Sequence, residues 1–340
     1  MPIKKSTVTI QDVAKAAGVS ISTVSRVLNE RVDVANDTRE HILTVIQELG
    51  YTSNLAARSM RSHKKNLIGL VIPDIGFPYS IEIMKGINQA IAESSFDLLV
   101  YTTGQIQKAG TITREQHYVS LLNNSLTDGV IIVASAAAEF ITDAPIIAVD
   151  PHLINPNYTA VQGTNYQGAR EAMDYLLGLG HRRIAFICGR PEIGSSVRRL
   201  KGYRDAVLQA GIEMDEQLIV PGDFSTEIGY ERGLQLFGLD NPPTAIFASN
   251  DQTALGVIQA AYEMSVRIPE DVSLIGFDNI AEAKHVDLTT IDQGLPQMGY
   301  IATQMLIKLI NDEPLDVQVY KLPTKLIERG SCRALNGKIK

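Results

Sequence analysis

The sequence predicts an α/β protein that carries a small all-α head, and three observations support it. Seven short apolar runs between residues 67 and 278 alternate with helix-compatible stretches. The first 50 residues instead show helical periodicity, and charge is shared unequally between the two parts. Runs that are apolar throughout and separated by helices mark strands buried on both faces of a parallel sheet. The 340-residue chain has a net charge of −7, yet residues 1–65 hold ten Lys or Arg against six Asp or Glu, giving +4, and the remainder stands at −11. A basic head on an acidic body suits a nucleic-acid-binding module joined to a domain that binds something else.

Thr9 and Asp12 stand at capping-box spacing ahead of the apolar stripe Val13, Ala14 and Ala17, so a first helix is expected there, with Gly18 as its left-handed stop. Ser20 is a natural N-cap for a second helix over 21–28. On that helix Val24, Val27 and Leu28 fall inward, while Ser22, Arg26 and Asn29, at i, i+4 and i+7, share the opposite face. Hydroxyl, guanidinium and amide groups together are what phosphates and base edges in a major groove require. On the residues alone, a surface helical hairpin with a solvated Arg26 remains open. A third helix is expected over 37–49, with Asn36 as cap, Ile42, Val45, Ile46 and Leu49 inward, and Gly50 as stop. Residues 53–61, SNLAARSMR, permit a helix but are too few to hold one alone, and the basic SHKKN after them reads as a linker. An ordinary flexible tether is the alternative.

The body runs through LIGLVIP (67–73), DLLVYTT (97–103), GVIIVAS (129–135), PIIAVD (145–150), RIAFICG (183–189), AIFASN (245–250) and VSLIGFD (272–278). Helical segments such as YSIEIMKGINQAIAES lie between, and their strip Ile83, Ile87 and Ile91 is expected to pack on the protein's own sheet rather than on a partner. The strand–helix cadence restarts near residue 165, which implies two similar lobes with a cleft at the carboxyl ends of their strands. Asp74, Asp150, Asn250, Asp251 and Asp278 directly follow strand ends and can accept sugar hydroxyls. Arg199 adds a forked donor, and Phe77, Tyr79 and Phe224 add flat faces for a ring. Each polar residue has an alternative use as a helix cap or turn closure, and Asp251, just before a helix, is the one most expected to cap.

Several classes are excluded. The two cysteines, Cys188 and Cys332, are far apart and fit a reducing cytoplasm, and no Cys/His cluster has metal spacing, so neither a metal nor a cofactor is expected. No apolar stretch is long enough for a bilayer, and MPIKKSTVTI lacks the apolar core of a secretory signal. An enzyme is disfavoured because GxSxG, a P-loop and a GxGxxG after the first strand are all missing. A free sugar carrier for transport would fit the body but not the head.

The run TIQDVAKAAGVSISTVSRVLN, followed by TRE and ELGYTSNLAARSMRS, resembles the DNA-binding headpiece of the lac repressor/GalR (LacI) family of bacterial transcriptional regulators. Further blocks, LIGLVIPDI, DGVIIVAS, GHRRIAFICG, RLKGYRDAV, PTAIFASNDQTALGV, RIPEDVSLIGFDN and LTTIDQ, resemble its effector-binding core, so the likeness covers about residues 8–330. The resemblance implies a helix-turn-helix headpiece over 1–52, a hinge helix and linker over 53–65, and a periplasmic-binding-protein-like core over 66–333. Its N-lobe would take about 66–163 and 294–321, its C-lobe about 164–293 and 322–333, with crossings near 164, 293 and 322. DNA contacts are then expected from Thr9, Ser20, Ile21, Ser22, Thr23 and Ser25, together with Arg26 and Asn29. In the hinge they are expected from Ala57, Met60 and Arg61, with Met60 in the place of the usual leucine wedge. Family positions that commonly touch the effector match Asp150, Ser195, Arg199, Phe224, Asn250 and Asp278; Asp74, Phe77, Tyr79 and Gln293 complete the candidate set.

Two departures bear on the ligand. Gly76-Phe77-Pro78-Tyr79-Ser80 replaces Ser-Asn-Pro-Phe-Phe, so the first-lobe wall should be less polar, and Gly163-Thr164 replaces a common Asp-Asn pair. The expected protein is a cytoplasmic, nucleoid-associated repressor that binds operator DNA as a homodimer and answers to a sugar or sugar derivative, alternatively a nucleobase or nucleoside. The ending RALNGKIK has no leucine heptads, which favours a dimer over a tetramer, and no membrane partner is expected.

Overall fold

The computed structural model describes residues 8–28, 33–51, 65–104, 110–122, 126–153 and 157–335. Two compact units divide between Lys65 and Asn66. In the first, α1 (Ile10–Ala16) opens on Thr9, whose Oγ1 accepts the Asp12 N–H at 3.4 Å while Asp12 Oδ2 accepts the Thr9 N–H at 2.8 Å. This reciprocal cap satisfies two donors that a helix start leaves orphaned. Gly18 then takes φ +66°, a conformation any side chain would strain. α2 (Ile21–Leu28) starts where Ser20 Oγ accepts the Thr23 N–H at 3.1 Å. α3 (Asn36–Leu49) differs from expectation at both ends. Asn36 is already helical, and the cap is Ala35, which offers only its backbone carbonyl, to Arg39 N–H at 2.9 Å. Leu49 is exposed, because α1 and α2 are too short to cover the last turn of a 14-residue helix. Val13, Ala14, Ala17, Val24, Val27, Ile42 and Val45 form the small shared core.

The second unit holds two six-stranded sheets. The first contains β1 (Leu67–Ile72), β2 (Asp97–Thr102), β3 (Gly129–Val133), β4 (Ile146–Val149), β5 (Thr159–Gly163) and β11 (Val319–Leu322), in the order β11-β5-β4-β3-β1-β2 and parallel throughout. The second contains β6 (Ile184–Ile187), β7 (Ile219–Val220), β8 (Ala245–Ala248), β9 (Ser273–Asp278), β10 (Thr289–Asp292) and β12 (Lys325–Ile327), in the order β12-β10-β9-β8-β6-β7. Only β12 runs antiparallel to its neighbour. The chain passes between the sheets after Gly163, Asp292 and Leu322. Two of these crossings are tied together, since Thr164 Oγ1 accepts the Thr324 N–H at 2.9 Å. β5, β7, β10, β11 and β12 lie outside the seven apolar runs.

Both faces of each sheet are covered, as parallel sheets require. Ile68, Leu70 and Ile72 of β1 pack with Ile83 and Ile87 of α4 (Pro78–Ala92) and with Met298 of α11 (Leu295–Ile310), so the isoleucine strip does face its own sheet. Val71, between them, points to the other face with Val119 and Leu122 of α5 (Thr111–Leu122). The second sheet repeats the plan. Phe186, Phe247 and Phe277 pack under α6 (Asn165–Gly178) and α7 (Gly194–Gln209), and Ile187, Ala248 and Leu274 under α9 (Asp251–Glu263). The remaining helices are α8 (Thr226–Phe237) and the short α10 (Ala281–His285). No helix among the described residues is long and apolar enough to cross a membrane.

Candidate functional site

Two faces carry chemistry. On α2, Val24 and Val27 are buried, which turns Ser22 and Arg26 outward. Ser20 Oγ lies 2.7 Å from Ser22 Oγ and 2.8 Å from Thr23 Oγ1, a hydroxyl cluster at the start of the helix. Ile21 is exposed on the same turn and offers an apolar contact of the kind a thymine methyl takes. Ser25 is half-buried. Among the described residues Arg26 forms an ion pair with the exposed Asp33, at 3.5 Å; such a pair contributes at most about 1 kcal/mol and can be exchanged for a phosphate or base. Thr9 is committed to capping, as its hydroxyl lies 2.7 Å from Asp12 Oδ2. Asn29, Ala57, Met60 and Arg61 lie outside the described residues.

The second face is a cleft, partly open to solvent, where the carboxyl ends of both sheets meet; it encloses about 610 Å³ with that open solvent included. From the first sheet, β1 supplies Phe77, Tyr79 and Ser80, β3 supplies Ala134, and β4 supplies Asp150 and His152. From the second, β6 leads to Arg190, Ser195 and Arg199, β7 to Asp223 and Phe224, β8 to Asn250 and β9 to Asp278. Nine described non-glycine residues have positive φ, and four of them, Ala134, Asp150, Phe224 and Asp278, line this one cavity. Such backbone stores about 1–3 kcal/mol of strain per residue and gathers at ligand sites.

The polar network explains why these residues are held. Arg199 is buried, donates Nε–H to Asn165 Oδ1 at 2.8 Å and Nη1–H to the Ser249 carbonyl at 2.5 Å, and lies over the Phe277 ring at 3.7 Å. Its Nη2 stands 3.5 Å from Asp278 Oδ1, which also accepts Gln293 Nε2–H at 2.6 Å. Burial pushes the Asp278 carboxyl up to about 7, against the pull of Arg199. The Tyr79 hydroxyl donates to Asp150 Oδ2 at 3.0 Å, and burial followed by the nearby acids holds it well above the ordinary phenol range. Asp150 Oδ1 and Ser80 Oγ are buried with no hydrogen-bond partner. His152 is held neutral, its imidazole pushed down to about 4 chiefly by burial. No group of three potential metal ligands occurs among the described residues.

Eight of the ten expected effector residues therefore come together, and two do not. Asp74 accepts the Gly76 N–H at 2.8 Å and closes its own turn beside the cavity. Gln293 is fully buried behind Asp278, as its orienting partner rather than part of the wall. The capping role expected of Asp251 belongs to Asn250, whose Oδ1 accepts the Thr253 N–H at 3.0 Å. Asp251 is instead buried inside the first turn of α9, accepting Thr290 Oγ1–H at 2.5 Å and the Ile280 N–H at 2.9 Å, and so fixes the loop that carries Asp278. Ser80, His152, Arg190 and Asp223 also line the cavity and were not expected. Of these, Arg190 could have been found, since it directly follows the 183–189 run.

Known proteins match both units of the chain. Residues 9–54 match the family model for bacterial regulatory proteins of the lacI family, and residues 173–332 match that for a periplasmic binding protein-like domain. The transcriptional regulator DegA of Bacillus subtilis is 36% identical over 96% of this chain and 99% of its own. A crystal structure of the lac repressor dimer bound to operator and the anti-inducer ONPF superposes with a TM-score of 0.85, at 26% identity over 97% of this chain and all of that one. A LacI-family regulator from Enterococcus faecium with bound ribose reaches 0.69, at 27% identity over 79% of this chain and all of that one.

Proposed function

Because this chain belongs to the lacI family of bacterial regulatory proteins and is a DNA-binding transcriptional regulator with a ligand-binding core, we propose that a small ligand in the cleft sets its affinity for a pseudo-palindromic operator. It acts by binding rather than by catalysis. One head covers a half-site, so a second copy of the chain completes the reader. We assign base and phosphate contacts to Ser20, Ile21, Ser22, Thr23, Ser25 and Arg26. Thr9, Asn29 and the hinge residues Ala57, Met60 and Arg61 are assigned by family position. The head ends near residue 52 and the core begins near 66 in this reading, and the protein works in the cytoplasm on the nucleoid.

One observation carries the effector assignment: acids and amides from the strand ends of both sheets converge on one cavity over strained backbone. A sugar fits it best, since Asp150, Asn250 and Asp278 are suited to hydroxyls, and the ribose held by the Enterococcus faecium relative supports that class. A nucleobase or nucleoside is the second reading, favoured by the three aromatic side chains Phe77, Tyr79 and Phe224 on the wall. The test is a thermal-shift screen of sugars, polyols and nucleobases followed by operator titration with each hit. A cleft ligand stabilises the fold by mass action and moves the operator midpoint. Both effects should vanish in Asp278→Ala; a ligand whose effects survive that change would place the site elsewhere.

A further inference from the structure

The two walls of the cleft are joined through backbone. His152, two residues after Asp150 in the first lobe, offers its carbonyl to the N–H of Gly194 in the second, at 2.7 Å. Both residues are buried. Gly194 is the first residue of α7, and Ile193, which caps that helix, adds no side-chain hydrogen bond. A helix has no internal acceptor for the N–H of its first residue, so the opposite lobe supplies the one that α7 lacks. The same helix carries Ser195 and Arg199 into the site. This contact therefore sets the distance between Asp150 on one wall and Ser195 and Arg199 on the other.

Glycine is needed at 194 for space, since its backbone is helical. A Cβ added there would lie 2.4 Å from the His152 carbonyl oxygen and 3.4 Å from its carbon, too close for a methyl group and a backbone oxygen to share the space. Neither partner can yield within its own lobe. The His152 N–H donates to the Ser135 carbonyl and the Asp150 N–H to the Val161 carbonyl, each at 2.8 Å. The loop after Ser135 is pinned in turn, because the Ala136 and Ala137 N–H groups donate to the buried Glu115 carboxylate at 3.0 and 2.9 Å. On the other side α7 is seated on α6. A Cβ on Gly202 would stand 2.7 Å from the Ala169 Cβ and 2.8 Å from the Tyr166 carbonyl oxygen, and Arg199 Nε–H is held by Asn165 Oδ1 at 2.8 Å. Interiors packed this closely transmit a displacement rather than absorb it, so room for a side chain at 194 comes from moving one lobe away from the other.

We propose that Gly194 is a positioning residue for the effector response. Its N–H and its lack of a side chain let the lobes stand near enough for one small ligand to touch both walls, and any side chain at 194 holds them apart. This inference rests on the effector-cleft reading above and adds to it the residue that sets the span of the site. Alanine favours a helix more than glycine does, so Gly194→Ala penalises the close arrangement of the lobes and not α7 itself.

The test uses the full chain and begins with amide hydrogen exchange at single-residue resolution. Protection at residue 194 reports the His152 carbonyl, because α7 offers that N–H no acceptor. The parent should slow exchange there by at least about tenfold, and Gly194→Ala should lose that protection while residues 198–209 of α7 keep theirs. An unprotected amide in the parent would overturn the inference whether or not the variant folds. So would protection retained in Gly194→Ala, or lost along the whole of α7. Gly178→Ala, at a helical position where a Cβ meets nothing within 4 Å, controls for glycine replacement and should change neither region. The second arm titrates D-ribose, D-galactose, D-glucose and adenosine by thermal shift. A member that binds the parent should show a midpoint about tenfold higher in Gly194→Ala and unchanged in Gly178→Ala, because apparent affinity falls with the fraction of protein in the competent arrangement. An equal midpoint in Gly194→Ala overturns the inference, and leaves the cleft reading standing where the same probe is lost in Asp278→Ala. A probe that ignores Asp278→Ala binds elsewhere and removes both. If none of the four binds, the exchange result decides alone.

Discussion

Asp278→Asn should stabilise the unliganded protein at pH 8 and leave its stability nearly unchanged at pH 4. Asp278 is 4% exposed, and burial lifts its carboxyl to about 7, overcoming the favourable field of Arg199 at 3.5 Å and the hydrogen bond from Gln293. In the unfolded chain the group ionises near about 3.9. Between those values the folded protein holds a proton that the unfolded chain has released, so this group's contribution to stability falls as pH rises from about 4 to about 7 and is flat beyond. A displacement from 3.8 to about 7 corresponds to about 4 kcal/mol once both states are ionised. Asparagine keeps the shape and one acceptor but cannot ionise. Asp251 is also pushed well above the ordinary range by burial and by Asp278, so the parent's own pH profile mixes both acids. Subtracting the variant's urea unfolding free energy from the parent's, point by point from pH 4 to 8.5, isolates Asp278. A variant less stable than its parent at pH 8 would refute the reasoning, for it would show that the ionised pair with Arg199 is a net gain. Ligand response should be lost in the same protein, which would make Asp278 a residue kept for binding at the expense of stability.

Other substitutions probe the head and the boundary. Arg26→Ala should weaken operator binding by about 1–3 kcal/mol per half-site, about tenfold or more, in an anisotropy titration at fixed salt; an unchanged midpoint would move base reading off α2. Ser20→Ala removes the acceptor of the Thr23 N–H and should lower the stability of the isolated head by about 1 kcal/mol, read from its thermal melt, with no change expected if the neighbouring hydroxyls take over the cap. A chain starting at Asn66 should fold, keep its ligand-induced melting shift and show no operator affinity, because each unit has its own core. Loss of the ligand shift on that cut would place the boundary elsewhere.

Much of this fold is written in periodicity. Val13, Ala14, Ala17, Val24 and Val27 sit at helical spacing and are the residues that pack the head, and the seven apolar runs all become central strands or β2. The strands outside those runs are short and mixed: TAVQG, TTID, VYKL and KLI combine polar and apolar residues without a regular period, and β7 has only two residues. Nothing local distinguishes them from loop, since their pairing comes from the chain's return across the two sheets. The strand-end rule locates Asp150, Asn250 and Asp278, and it reaches Arg190 as well. It overreaches at Asp74, where a glycine two residues on lets the carboxylate close its own turn, and it misjudges Asp251, whose burial comes from Thr290 and Ile280 far along the chain. Side chains that orient others, such as Gln293 behind Asp278, have no sequence signal of their own.

Control of DNA binding by this cleft has an energetic requirement that the site can be measured against. Moving a two-state equilibrium from 1:99 to 99:1 takes about 5.5 kcal/mol of differential affinity. Hydrogen bonds to charged groups contribute about 1.5–3 kcal/mol each, so two to four of them suffice, provided they form in one lobe arrangement only. Contacts to a single lobe fail that condition, because they survive any movement of the other. Of the residues on the cavity wall, Asp150 comes from the first lobe, and Arg190 and Asp278 come from the second. A ligand joining Asp150 to Arg190 or Asp278 would bridge the lobes, whereas Arg199 is already satisfied within its own lobe. The strength of coupling should therefore follow the contacts that join the lobes more closely than the number of residues that line the cavity.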